Sequence, residues 1–205
     1  MLVHYLYVHT HSLIRSFLFV LASSRLGGNT ETLARMAAEA LPDSVERRWI
    51  RLRDVPLPPF VDLRHAGIQA VSTPAGNEKV LLDATLAATD VVIASPLYWY
   101  SVSADAKQYL DYWSGWMRLP RANFMDTMRG KKLWGVSVLS EEDPAQADPL
   151  AGTLRLSAEY LGMDWGGVLL GNGSQPDDVL RDAGALLRAS TFFLCGTDAP
   201  PDHHE

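Results

Sequence analysis

Cysteine is nearly absent from this chain: Cys195 is the single one in 205 residues. One thiol makes neither an internal disulfide nor a multi-cysteine metal site, which fits a reducing, cytoplasmic compartment. Cys195 ends the apolar run Phe192-Phe193-Leu194, so it reads as packing rather than as a redox nucleophile. Long apolar runs are absent too, and none approaches the ~20 residues of a membrane-spanning helix. Arg15 followed by the apolar residues 17–22 has the outline of a secretory leader. The run is short and the loop after it carries functional residue types, so it reads as a buried strand. Positive charge is in deficit, with 18 Lys and Arg against 24 Asp and Glu and a net charge of -6. General nucleic-acid binding needs the opposite balance. His4, His9 and His11 have no acidic or cysteine partner at metal-ligand spacing, and His203-His204-Glu205 is a polar tail. No metal is expected.

What is present is a hydrophobic content of 47%, enough for one substantial core, and a regular alternation of strands and helices. The expected organisation is an extension over 1–16, one domain over 17–196 and a polar tail over 197–205. Strands are expected at 17–22, 45–52, 90–94, 132–139 and 165–170. The second alternates and belongs near a sheet edge, whereas 90–94, apolar after Asp90, is the clearest buried strand. Helices are expected at 30–41, 78–88, 103–113, 149–161 and 177–194. In the last, Leu180, Ala183, Leu187 and Ser190 are expected on the inner face. Residues 54–77 are rich in Pro and Gly and form either a lid-like loop or a disordered segment. Five strands alternating with helices predict a parallel sheet covered on both faces. Such sheets bind ligands beyond the carboxyl ends of their strands, where the strand order switches.

Three loops at those ends are candidates. The first reads Ser23-Ser24-Arg25-Leu26-Gly27-Gly28-Asn29-Thr30. Its glycines let the backbone approach a ligand, its hydroxyls and amide donate hydrogen bonds, Arg25 adds charge, and a helix begins there. This suits a phosphate. Glu31 points the other way, since it repels one, and leaves an ordinary capped turn as the competing reading. No Gly-Lys-Ser/Thr follows as a Walker loop requires. No cysteine makes it a tyrosine-phosphatase loop, and no acids make it a response-regulator site. Gly-x-Ser-x-Gly and hydrolase triad motifs are absent. The second loop reads Ser95-Pro96-Leu97-Tyr98-Trp99-Tyr100-Ser101. Three adjacent aromatics at a strand end suit a flat ring system, or packing beneath the next helix.

Together these loops resemble the NAD(P)H-dependent FMN reductase family of flavodoxin-like proteins. The family's phosphate loop runs Ser-x-Arg-x-x-Gly/Ser-Asn-Thr. Its second signature is Pro-x-Tyr, small residues, then a helical Lys and Asp, matched here by Lys107 and Asp111. The resemblance runs from about residue 17 to 193 and implies a doubly wound five-stranded parallel sheet of order 2-1-3-4-5. It implies that Ser23, Arg25, Asn29 and Thr30 hold an FMN phosphate, with Ser24 and Gly28 also cofactor-binding. Pro96, Leu97, Tyr98 and Trp99 would then border the ribityl chain and the isoalloxazine, with Tyr100 and Ser101 also cofactor-binding. Lys107 and Asp111, four apart, read equally as a helix-surface pair.

The third loop, 137–148, carries Glu141, Glu142 and Asp143 where the family commonly has small residues, and leaves Ser140 as its contact. Gly171-Asn172-Gly173-Ser174-Gln175-Pro176 imitates part of a dinucleotide fingerprint but reads as a turn into a Pro-started helix. The implied activity is ping-pong, with NADPH or NADH reducing the flavin and a quinone, free flavin, azo or nitro aromatic, or metal oxyanion reoxidising it. No catalytic side chain is assigned. A flavodoxin-type electron carrier and a non-catalytic interaction protein are the alternatives. The crowding of Arg47, Arg48, Arg51 and Arg53 argues against the acidic carrier. The resemblance also implies a homodimer or tetramer, with Trp113, Trp116 and Met117 as candidates for either its interface or the core.

Overall fold

A computed structural model of the chain describes residues 15–63 and 73–194. The expected extension, apart from its last two residues, therefore lies outside the described residues. So do the three N-terminal histidines, Cys195, the polar tail and the middle of the long loop.

Five parallel strands form one sheet of order β2-β1-β3-β4-β5. They are β1 (Ser16–Leu21), β2 (Glu46–Arg51), β3 (Asp90–Ala94), β4 (Lys132–Leu139) and β5 (Asp164–Asn172). In the register at the switch, Phe17 lies opposite Arg47 on one side and Asp90 on the other. β3 is buried along its whole length and β2 alternates, as expected for a central and an edge strand. The helices are α1 (Asn29–Glu39), α2 (Gly76–Ala87), α3 (Ala104–Trp116), α4 (Phe124–Met128), α5 (Asp148–Tyr160) and α6 (Ala183–Phe192). One face of the sheet buries Leu18, Val20, Val91 and Ile93 against α2, α3, α4 and α5. The other buries Phe17, Phe19, Val92, Trp134 and Val136 against α1 and α6. Among the described residues, no helix is long and apolar enough to cross a membrane.

Three expectations need correction. Residues 177–194 are not one helix. Asp177 has a φ of 64, a short 3-10 turn follows at Asp178–Arg181, and α6 starts only at Ala183. That offset rotates the inward face. Ala185, Ala189 and Phe193 are buried at successive four-residue steps, whereas Leu180 and Leu187 are exposed. The small residues let α6 lie close to α1. α4 was not foreseen, because five residues are too few for a periodic signal. Of the long loop, 55–63 is an extended strap rather than a free lid. Gln108 donates to the carbonyls of Leu57 and Pro58, Tyr112 donates to Pro58, and Phe60 meets the Tyr112 ring edge-on.

Trp113 and Trp116 are core residues, 4% and 0% exposed, packed around Tyr109 and Phe124. Gly166 is dictated by Trp134: a Cβ there would fall 2.3 Å from the indole ring. The same indole donates to Asp90, whose carboxylate also pairs with Arg15. At the opposite, carboxyl end of the sheet the strands give way to the candidate loops.

Candidate functional site

The loop between β1 and α1 takes its shape from its own side chains. Ser23 is buried, and its Oγ accepts the Arg25 N–H at 3.1 Å. Gly27 sits at a φ of 59, left-handed backbone that a side chain would strain. Gly28 is the N-cap of α1 and brings no capping side chain. The capped-turn alternative therefore fails, and the first-turn N–H groups of α1 are open to an anion. The guanidinium of Arg25 is exposed and has no hydrogen-bond or ion-pair partner among the described residues.

Glu31, whose charge and position set it against an anion in the sequence, is paired with two arginines in the structure. Its side chain is 5% exposed and its two oxygens accept from Arg51 at 2.8 and 3.0 Å and from Arg35 at 2.8 and 3.0 Å. They also accept from the Gly27 N–H at 3.1 Å. Burial pushes the Glu31 pKa up, but the bonds from Arg51, then Arg35 and Gly27, outweigh it and bring it down to about 2. The same pairing raises the pKa of Arg51. The arginine cluster of β2 thus serves the fold. Arg51 holds Glu31, Arg47 caps the carbonyls of Ala38, Leu41 and Pro42 at the end of α1, and Arg53 donates to the Ser24 carbonyl at 2.7 Å.

The loop after β3 is pinned at both ends. Ser95 Oγ accepts the Ser103 N–H at 2.8 Å, and Ser103 Oγ caps α3 and donates to the Ala22 carbonyl at the end of β1. Between them Tyr98 and Ser101 exchange backbone hydrogen bonds of 3.0 and 3.1 Å. The two central residues of this turn, Trp99 and Tyr100, have φ of 49 and 64. That geometry is normally given to Asn-Gly. Two aromatic residues there cost roughly 1–2 kcal/mol each, a strain that concentrates at functional sites. Trp99 is 94% exposed. Ser24 Oγ and Tyr98 OH stand 3.5 Å apart and join this loop to the first.

Both loops line one cavity of about 390 Å³. Of the residues singled out from sequence, Ser23, Arg25, Gly28, Asn29, Thr30, Pro96, Leu97, Tyr98 and Ser140 stand in its wall, while Ser24, Trp99, Tyr100 and Ser101 stand outside it. Donors gather at the β1–α1 side, and Pro96, Leu97, Tyr98 and Val138 supply a largely apolar side. Asn29 Nδ2 donates to the Gln175 carbonyl at 2.8 Å, leaving Oδ1 buried with no donor among the described residues. A hydroxyl-bearing ligand would satisfy it. The cavity therefore fits a molecule with an anionic end, hydroxyls and a planar apolar body.

Sequence reasoning missed one wall. Gly173, Ser174 and Pro176, after β5, also line the cavity. The segment is indeed a turn, with Asp178 accepting the N–H groups of Ser174 and Gln175. The rule that pointed to the other loops, the carboxyl end of a parallel strand, applies to it equally. Lys107 and Asp111 form an exposed ion pair on α3, outside the cavity. Asp143 caps its own short turn.

Residues 16–153 match the NADPH-dependent FMN reductase family. The chain is 31% identical over 173 residues to a Bacillus subtilis (strain 168) protein named as an NAD(P)H-dependent FMN-containing oxidoreductase, YwqN. The match covers 83% of this chain and 92% of that protein. Among solved structures, Trp repressor binding protein from Bacillus subtilis superposes with a TM-score of 0.69 at 25% identity, covering 88% of this chain and 99% of that one. An azoreductase from Bacillus anthracis str. Sterne superposes with a TM-score of 0.59 at 19% identity, covering 86% and 97%.

Proposed function

The chain belongs to the NADPH-dependent FMN reductase family, and from that membership we propose how its cavity holds FMN and which acceptors it serves. It is an NAD(P)H-dependent, FMN-containing reductase. The observation that carries the reading is the meeting of an uncapped helix start, an Arg25 with no partner among the described residues and an aromatic strand-end loop around one cavity.

In this reading Arg25 and the first-turn N–H groups of α1 take the FMN phosphate, with Ser23 and Thr30 beside them. Asn29, expected at the phosphate, spends its Nδ2 on the Gln175 carbonyl, and its remaining acceptor Oδ1 takes a ribityl hydroxyl instead. Pro96, Leu97, Tyr98 and Val138 flank the ring and keep water from it, and Ser140 borders it from the fourth strand's loop. Bound FMN supplies the redox chemistry, taking two electrons from NADPH or NADH and passing them to an acceptor. No side chain of the cavity is positioned as an acid or base, so the protein's part is placement. The acceptor is a planar aromatic such as a quinone or free flavin rather than a metal oxyanion. The support is Tyr98, which lines the cavity yet keeps 43% of its surface exposed for stacking.

A homodimer or tetramer is the family expectation, and with Trp113 and Trp116 in the core the surface ring that favours one is Trp99. Light scattering of wild type and Trp99→Asn tests it, a smaller mass for the variant being expected. The single cysteine supports a cytoplasmic setting. For the main reading, apo protein is titrated with FMN and with riboflavin, and NAD(P)H oxidation is then followed with a quinone and with a metal oxyanion. Tighter binding of FMN than of riboflavin, and faster turnover with the quinone, are expected. Equal binding of the two flavins would remove the phosphate site.

A further inference from the structure

The loop that meets the phosphate is bolted to the sheet by a residue that never touches the cavity. Glu31 is absent from the cavity wall, and its carboxylate turns instead to Gly27 N–H, Arg35 and Arg51. Arg51 ends β2 and has Asp54 3.6 Å away. Arg35 lies over the Trp49 ring at 4.4 Å, and Trp49 stacks on Phe19 of β1 at 4.0 Å and 11°. A chain of contacts thus runs from the core of the sheet, through two arginines and one carboxylate, to a single backbone N–H at the left-handed bend of the loop. Drawing the Gly27 N–H to Glu31 fixes the peptide plane there and leaves the N–H groups that follow it unspent.

We infer that Glu31 is a positioning residue for the cofactor: it holds the β1–α1 loop in the conformation that receives the FMN phosphate. This rests on the reading of that loop as the phosphate site. The competing view treats Glu31 as a negative charge near a dianion. The two views predict opposite signs. Glu31→Gln removes the charge, so the field alone would tighten FMN binding. Loss of positioning weakens it, because the amide presents N–H groups to two arginines and the carboxylate that oriented Gly27 is gone.

The experiment titrates the full-length apo protein with FMN and with riboflavin, followed by flavin fluorescence, for wild type and Glu31→Gln. The expected result is a loss of about tenfold in FMN affinity, the size of one charge-assisted hydrogen bond, with riboflavin affinity changed less than about twofold. In the apo form, amide hydrogen exchange at Gly27 is expected to quicken in the variant. Unchanged or tighter FMN binding overturns the inference, and so does an equal loss for both flavins, which marks general damage to the cavity. If wild type itself does not distinguish FMN from riboflavin, the phosphate reading fails and takes the inference with it. Should Glu31→Gln not fold, Arg35→Met removes two of the five bonds from a half-exposed position. A loss of about threefold or more for FMN alone is then expected. No loss overturns the inference.

Discussion

Stability in acid gives the most direct measure of the Glu31 cluster, because the charge pairing there has a definite sign and size. The pKa of Glu31 falls from 4.5 to about 2 on folding. At about 1.4 kcal/mol per unit this is worth about 3 kcal/mol, and roughly 2–3 after discounting the half-exposed Arg35 for solvent screening. The folded pKa lies below the unfolded one. The contribution is therefore whole above pH 4.5 and drains away as pH falls toward 2. The perturbation is Glu31→Gln, and the assay is urea denaturation of apo protein at steps from about pH 7 to about pH 3. Other carboxylates titrate over the same range in both proteins, so the informative quantity is the difference between them. That difference is expected to be about 2–3 kcal/mol near neutrality and to shrink below pH 4.5. A gap that stays constant down to about pH 3 would refute the argument, since it would locate the loss in packing rather than charge. No gap at neutrality would refute it outright.

Three other outcomes are expected. Arg25→Ala weakens FMN by about tenfold or more, as for loss of a bond to a charged group, and leaves riboflavin nearly unchanged in the same fluorescence titration. Trp99→Asn removes a ring that is 94% exposed from a left-handed position. It should raise the stability of dilute apo protein by about 1 kcal/mol in a thermal melt, and a fall instead would show the turn is not strained. Gly166→Ala places a Cβ 2.3 Å from the Trp134 ring. It should cost about 1–3 kcal/mol or more, read from the urea midpoint, and a neutral result would mean that β5 shifts freely where its register against β4 is irregular, between Leu133 and Gly135.

The sheet was legible because its evidence is local. Residues 17–22 and 91–94 are apolar, buried on both faces and show no alternation, whereas Glu46–Arg51 alternates because one face meets water. The two cavity loops were legible because a chemical type recurs at a strand end: glycines with Arg25 after β1, three aromatics after β3. The α6 face was misread because the apolar stripe was counted from Leu180, across a boundary set by the left-handed Asp177 and the Asp182 cap. The loop after β5 was set aside because its own residues make a satisfactory turn. Its place in the cavity wall depends on the Asn29–Gln175 bond, between residues 146 apart in the chain. Glu31 was read by its charge and position, yet its role is fixed by Arg51, 20 residues on.

Two of these positions share a property that bears on how the site works. Asparagine and glycine suit the Tyr98–Ser101 turn better than tryptophan and tyrosine, and a buried carboxylate is a costly way to hold a loop N–H. Both violate local preference, and both sit beside the same cavity on opposite flanks. Much of the fold elsewhere agrees with its local rules: β-branched and aromatic residues in the buried strands, serine and aspartate caps on α3 and α6, small residues where α6 meets α1. Two such departures beside one cavity hold a geometry the free backbone would not choose. On the phosphate flank the compensation is visible, since Arg35 and Arg51 neutralise the carboxylate completely. On the aromatic flank it comes from Ser95 and Ser103, which pin both ends of the loop to the sheet. Ser103→Ala should therefore release the turn, lowering flavin affinity for FMN and riboflavin alike, whereas the Glu31 substitution separates them. That contrast, one flank acting on the ring and the other on the phosphate, follows only if the ligand lies across both loops, and identical flavin profiles for the two variants would contradict it.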